Sequence, residues 1–192
     1  MMKHPLPPLR FVLPAEVKIL HRMILAAVDE TVGENAQFKA FEQARFNRSY
    51  IRALMAADPG YAQFAVTPQG KICGFLLSGP NCGTLVLYWC YLLPEFRKGA
   101  LALSSLVAFN SYWNNSRFHK IVAYAKVDNR VSLLMMRRTK YRDVAVLQNH
   151  IYGQDFVALE LPLQKASANY DNFVGVGLWG RIKSKWLDLV QG

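Results

Sequence analysis

Apolar residues recur along this chain with two different periods, and the period switches at turn residues. Residues 10–13 read as a short apolar strand, after which Pro14-Ala15-Glu16 opens a helix running to about residue 28. Gly33-Glu34-Asn35 interrupts the pattern. Phe38, Phe41, Ala44, Arg45, Arg48, Ile51, Leu54 and Met55 then recur near helical spacing, which predicts one helix stopped by Asp58-Pro59-Gly60. Strands over 61–67 and 71–78 flank the turn Pro68-Gln69-Gly70, and a loop is expected at 79–83.

Residues 85–92 are almost wholly apolar, as in a central strand buried on both faces. A helix over 98–113 ends at Asn114-Asn115-Ser116. It is followed by a strand at 119–126, a helix at 129–139 and a hairpin of strands 144–151 and 156–161. Residues 164–172 are small and polar, a linker. In the tail beyond them, Leu178, Ile182, Trp186 and Leu189 fall on one face of a helix, with Arg181, Lys183, Lys185 and Asp188 elsewhere. These patterns divide the chain into one domain over 1–163 and a linker with an amphipathic helix over 164–192.

The junction after the central strand carries the chemistry. It reads Leu92-Leu93-Pro94-Glu95-Phe96-Arg97-Lys98-Gly99-Ala100-Leu101-Ala102, a strand end, a turn with a cation and a helix opening on small residues. Free N–H groups and the positive dipole end at a helix N-terminus, beside an Arg, favour a pyrophosphate. The stretch resembles motif A of the GNAT acyltransferases, Arg/Gln-x-x-Gly-x-Gly/Ala. Ala100 stands where the first glycine of that motif is expected, and Gly99 sits one position early. A second element, Val127-Asp128-Asn129-Arg130-Val131-Ser132, is similar to the family's Asn-x-x-Ser/Ala.

The resemblance spans roughly residues 9–163 and implies an α/β (α+β) fold: a mixed, mostly antiparallel sheet of six to seven strands flanked by helices, plus a C-terminal helical extension. It implies a bulged central strand that splays from its neighbour, acyl-coenzyme A in the resulting V, and no metal. Arg97, Lys98, Gly99, Ala100, Leu101 and Ala102 would hold the pyrophosphate. Leu92 and Leu93 would pair through backbone with pantetheine, and Asn129 with Ser132 would contact its arm. The implied reaction is transfer of an acyl group, most simply acetyl, to an amine. Met136 stands where the family often has a tyrosine that protonates the leaving thiolate, and methionine has no proton to give.

Few side chains in the sequence offer catalysis. The strand 85–93 contains no carboxylate, so Glu95 in the turn is the nearest candidate base. The bulge is expected near residues 91–93, where its N–H groups could serve a thioester oxygen. Tyr88 and Tyr91 differ in parity along the strand, so one of them, with Tyr88 the catalytic candidate, could face the cleft and hold an acceptor, while buried aromatic packing is the role expected of both. Tyr124 and Tyr141 are the nearest phenols to the missing acid, His119 begins a strand away from the thioester, and Cys90 has no activating neighbour in sequence. These departures from the family pattern leave a rival reading, a GNAT-fold subunit of a larger assembly with catalysis weakened or lost.

Composition narrows the setting. Hydrophobic content of 52% with 19% charged residues excludes a disordered chain. Lys and Arg total 23 against 13 acidic residues, a net charge of +10 that attracts polyanions such as coenzyme A. Nucleic acid or an anionic membrane surface are the other partners such charge suits, although no nucleic-acid motif accompanies it. The tail helix suits docking on this domain or on a second copy, with a protein partner or an anionic membrane surface as the other readings. No apolar run reaches the roughly 20 residues of a membrane span. Three cysteines without metal-ligand spacing fit a reducing compartment, and a cytoplasmic location is expected.

Overall fold

A computed structural model describes residues 7–31 and 33–164; the predicted tail helix lies outside the described residues. The strands are Leu9–Phe11 (β1), Ala62–Val66 (β2), Ile72–Asn81 (β3), Thr84–Leu92 (β4), Lys120–Lys126 (β5), Arg142–Ile151 (β6) and Gln154–Pro162 (β7). They form one sheet in the order β1-β2-β3-β4-β5-β7-β6. Every neighbouring pair is antiparallel except β4 with β5. The helices are Val17–Glu30 (α1), Ala36–Arg45 (α2), Arg48–Ala57 (α3), Leu101–Trp113 (α4) and Arg130–Arg138 (α5). This is the mixed, mostly antiparallel architecture expected. None of these helices is long and apolar enough to cross a membrane.

Two stretches depart from the sequence pattern for identifiable reasons. The periodic run over 36–57 is two helices, because Asn47 accepts a hydrogen bond from the Tyr50 N–H and caps a second start. The predicted loop at 79–83 is instead the end of β3 and a tight turn. Gly79 and Pro80 pair with Val86 and Leu85. Proline is tolerated there because β2 begins opposite Leu77 and leaves that side of β3 open. Cys82 and Gly83 close the turn with φ of 49° and 79°, the left-handed pair that suits a two-residue hairpin.

The core packs between α1–α3, the sheet and α4. Leu20, Ile24, Ile51 and Leu54 are buried from the first three helices. From α4, Trp113 stacks on Tyr61 at 5.2 Å and 14° and meets Phe109 and Phe118 edge-on. Such aromatic packing holds α4, and with it the junction at residues 93–101, in a fixed position against the sheet.

Candidate functional site

The centre of the sheet comes apart. β4 and β5 pair only at Leu85 with Ile121, Val86 with Val122 and Leu87 with Ala123. Beyond that point β4 continues with β3 as far as Gly74 opposite Leu92, while β5 continues with β7 as far as Lys126 opposite Phe156. The divergence begins at a bulge: Leu77 faces Trp89 and Ser78 faces Leu87, so Tyr88 is the extra residue. The bulge therefore lies at Tyr88, not at residues 91–93 as the sequence suggested. It also resets the parity of the strand. Tyr88 packs on Phe46 with the Arg45 guanidinium over its ring, and the Tyr91 hydroxyl donates to Glu30, so both face the layer of α1–α3.

The splay opens into a cleft of ≈ 1210 Å³. Its walls are residues 88–92 of β4, residues 123–126 of β5 and the start of α5, with Arg97 and Ala102 below. The N–H groups of residues 98–103 find no acceptor among the described residues, and Ser104 N–H to the Ala100 carbonyl is the first bond of α4. Gly99 has φ of 128°, which a side chain would resist. An open row of amides at the positive end of a 13-residue helix thus borders the cleft.

Of the residues expected at the site, Tyr88, Leu92, Arg97, Ala102, Asn129 and Ser132 line the cleft. Lys98, Gly99 and Ala100 are exposed on the adjoining loop. Leu93 and Leu101 lie beside it, outside the lining. Glu95 is exposed in the turn Pro94–Phe96 and takes no part in the lining. Asn129 accepts from the Ser132 N–H, capping α5, so its amide nitrogen is what it offers a ligand. Arg97 is already engaged. Its Nε donates to the Leu92 carbonyl at 2.9 Å, Nη2 to Glu30, and its guanidinium lies over the Tyr91 ring. It clamps the turn to α1, and its hydrogen bond holds the Glu30 carboxyl below its ordinary range.

The other groups weighed in the sequence fall away from acid or nucleophile roles. Met136 is buried, as is Tyr141, whose hydroxyl donates to Asn110 at 3.0 Å; burial pushes that phenol far up. Desolvation pushes the Cys90 thiol up to about 12. Tyr124 stands half-exposed beside His150 in the cleft wall.

The carboxylates missing from β4 come from α2 and from the segment before it. Phe38, Glu42 and Arg45 follow one another at i, i+4 and i+7, so one face of α2 turns them to the cleft. Glu42 is 6% exposed and accepts from Trp89 Nε1 at 2.8 Å, with Arg45 at 3.5 Å. Burial raises its carboxyl above the ordinary range, and the same cause raises Glu34. Nothing local in the sequence marked it: the same face of α2 carries Arg45, and the burial of Glu42 comes from its contact with Trp89 of β4. The segment before α2 is tied across the cleft mouth. Asn35 Nδ2 donates to the Tyr152 carbonyl at 2.9 Å, and Gln154 Nε2 and Lys126 Nζ both donate to the Gly33 carbonyl.

No model of a protein family matches the sequence, and no curated protein does. Solved structures do. The PaiA N-acetyltransferase of Thermoplasma acidophilum, in complex with coenzyme A, superposes with a TM-score of 0.66 at 12% identity, over 80% of this chain and 97% of that one. The ribosomal-protein-alanine N-acetyltransferase of Brucella melitensis gives 0.65 at 16%, over 81% and 99%. A GNAT superfamily phosphinothricin acetyltransferase of Sinorhizobium meliloti, in complex with acetyl-coenzyme A, gives 0.63 at 16%, over 85% and 92%. The chain has the GNAT fold. Within that fold, the splay between β4 and β5 and the open amides before α4 are the features that border the cleft.

Proposed function

We propose that the protein is an acyl-coenzyme A-dependent N-acyltransferase that moves an acyl group, most simply acetyl, to an amine in a ternary complex. The observation that carries this reading is the end of β4–β5 pairing at Leu87 and Ala123, which leaves a cleft running to an uncapped helix end. Solved neighbours of the same fold hold coenzyme A or acetyl-coenzyme A, which supports the same co-substrate here. In this reading the amides of residues 98–103, with Lys98, receive the pyrophosphate across Gly99, Ala100, Leu101 and Ala102. Arg97 serves partly by fixing the turn. The edge of β4 at Leu92 and Leu93 pairs with pantetheine, and Asn129 and Ser132 meet its arm.

The amine nitrogen attacks the thioester carbonyl; a C–N bond forms as the C–S bond breaks, and the thiolate takes up a proton. N–H groups of β4 facing the open side stabilise the oxyanion. With Met136 at the position of the family acid and Tyr141 bonded to Asn110, no phenol of this chain is assigned to protonate sulfur. A thiol of pKa about 8.5 leaves without one. Tyr88, flanked by Arg45, borders the acceptor side; Glu95 has no role in this reading. The free cysteines fit a reducing compartment, and a cytoplasmic location goes with it.

Calorimetric titration with acetyl-coenzyme A tests the proposal. Wild type is expected to bind, and Ala102→Phe, which puts a ring into the cleft lining, to bind much more weakly. Absence of binding to wild type, or equal binding to both, would leave the rival reading of a catalytically silent subunit, which the buried Met136 favours.

A further inference from the structure

We propose that residues 178–189 of this same chain dock as a helix along the outer face of α4, covering Leu103 and Val107. The inference stands apart from the acyltransferase reading. α4 is alone among the five described helices in carrying no charged side chain over its 13 residues. A helix without a charged face belongs between two layers, and the sheet supplies one of them. Its inner side is filled by Leu106, Phe109, Tyr112 and Trp113, all buried. On its outer side Leu103 is 36% and Val107 49% exposed, one turn apart, beside Ser104 and Ser111. Ser104 spends its hydroxyl on the Leu101 carbonyl. The distance between packed helices is set by the side chains at the contact, and serines there permit a close approach.

The route of the chain selects the occupant. Leu103, Val107, Asn110 and Asn114 recur at i, i+4, i+7 and i+11, a single row along α4 and its C-cap. Asn114 Oδ1, at the end of that row, accepts the Gln164 N–H, so the last described residue is fastened to the face in question. Just before it, the Leu163 N–H donates to the His119 carbonyl. The stretch from Gln164 to Leu178 reaches up to about 45 Å when extended. α4 is about 20 Å long, so either end of its face lies within reach. A tether of that length keeps the two surfaces at an effective concentration on the order of millimolar.

The two rows match in length and chemistry. Leu178, Ile182, Trp186 and Leu189 share one helical face, and the step from Leu178 to Leu189 equals that from Leu103 to Asn114, about 16 Å at the helical rise. Arg181 and Lys183 lie off that face and stay in water. Other exposed apolar side chains are engaged elsewhere. Val131 and Tyr124 line the cleft, Phe41 and Tyr152 pack on each other, and Val144 follows the charged pair Arg142-Asp143 on the edge strand.

Disulfide trapping in the full chain is the test. Cys82→Ser first removes the exposed native thiol. In that background Val107→Cys is combined in turn with Leu178→Cys, Ile182→Cys, Trp186→Cys or Leu189→Cys, and the dilute protein is oxidised mildly. At least one pair should close within the monomer, roughly tenfold or more faster than the same tail cysteine closes with Val144→Cys, an exposed position on β6. Val107→Glu should lower the melting temperature of the full chain by several degrees, whereas a bare surface position tolerates such a change. Should the Val107→Cys chains not fold, Leu103→Cys takes their place with the same four partners. Crosslinks formed only between chains would give the face to a second copy and overturn the proposal. No crosslink, equal rates from Val107→Cys and Val144→Cys, or a Val107→Glu chain that melts with wild type would overturn it as well, by showing α4 bare.

Discussion

Replacing Gly74 by alanine strikes both the fold and the site. A Cβ at Gly74 would lie 2.1 Å from the Tyr91 carbonyl oxygen, 2.5 Å from Leu92 Cδ2 and 2.9 Å from Leu92 Cα. Two of these three are main-chain atoms, which cannot rotate aside. The β3–β4 ladder must therefore open by about 1.3 Å, the gap between the closest approach and ordinary contact at 3.4 Å. Overpacking of this kind costs about 1–3 kcal/mol, and an immovable backbone puts Gly74→Ala at the upper end. At about 2–4 °C per kcal/mol for a domain of this size, the melting temperature should fall by roughly 6–12 °C. The displaced atoms belong to the edge of β4 assigned to pantetheine, so acetyl-coenzyme A affinity should fall as well. Gly153→Ala is the control: nothing lies within 4 Å of its Cβ, and only its φ of 76° resists. That change should cost about 1–2 kcal/mol and spare the ligand. Thermal unfolding by circular dichroism and calorimetric titration read the two effects. If Gly74→Ala melts with wild type, or binds acetyl-coenzyme A as well, the close approach of β3 to the site edge has been misjudged.

Three further outcomes are expected. Tyr141→Phe strips the donor from the buried Asn110 oxygen and should cost about 1–3 kcal/mol in chemical denaturation, with acetyl-coenzyme A affinity unaltered. Mass spectrometry after iodoacetamide at pH 8 should find the exposed Cys82 modified and Cys90, its thiol pushed up to about 12, unmodified until the chain unfolds. For Glu42, burial raises the folded-state carboxyl, so the folded protein binds the proton more tightly than the unfolded chain. The stability this contributes is full below the ordinary carboxylate range and is lost as pH rises through the raised value. Glu42→Gln should accordingly gain stability relative to wild type between pH 4 and pH 8; a constant difference would show that Glu42 is not desolvated.

Much of this arrangement could be read in the residues because local chemistry dictated it. The apolar run of β4, the turn at residues 94–97 and the closing hairpin all fell where expected, since each rests on strand burial or turn geometry within a few residues. What escaped was set by contacts distant in sequence. The bulge at Tyr88 depends on how β3 and β4 register, and it turned Tyr88 and Tyr91 to one face against their parity. Arg97 was readable as a cation beside a helix end, but its clamp on Glu30 comes from a helix 67 residues away. Glu42 was hidden for the same reason: its burial exists only once α2 lies on β4. The helix over 36–57 was split by one cap, Asn47, which periodicity alone does not register.

Amide hydrogen exchange, with and without acetyl-coenzyme A, reads the open junction directly. The amides of residues 98–103, which have no acceptor among the described residues, should exchange fast in the free protein and slow sharply on addition of the ligand, together with residues 89–93. Exchange at both stretches that is indifferent to acetyl-coenzyme A would contradict the claim that the gap between β4 and β5 receives it.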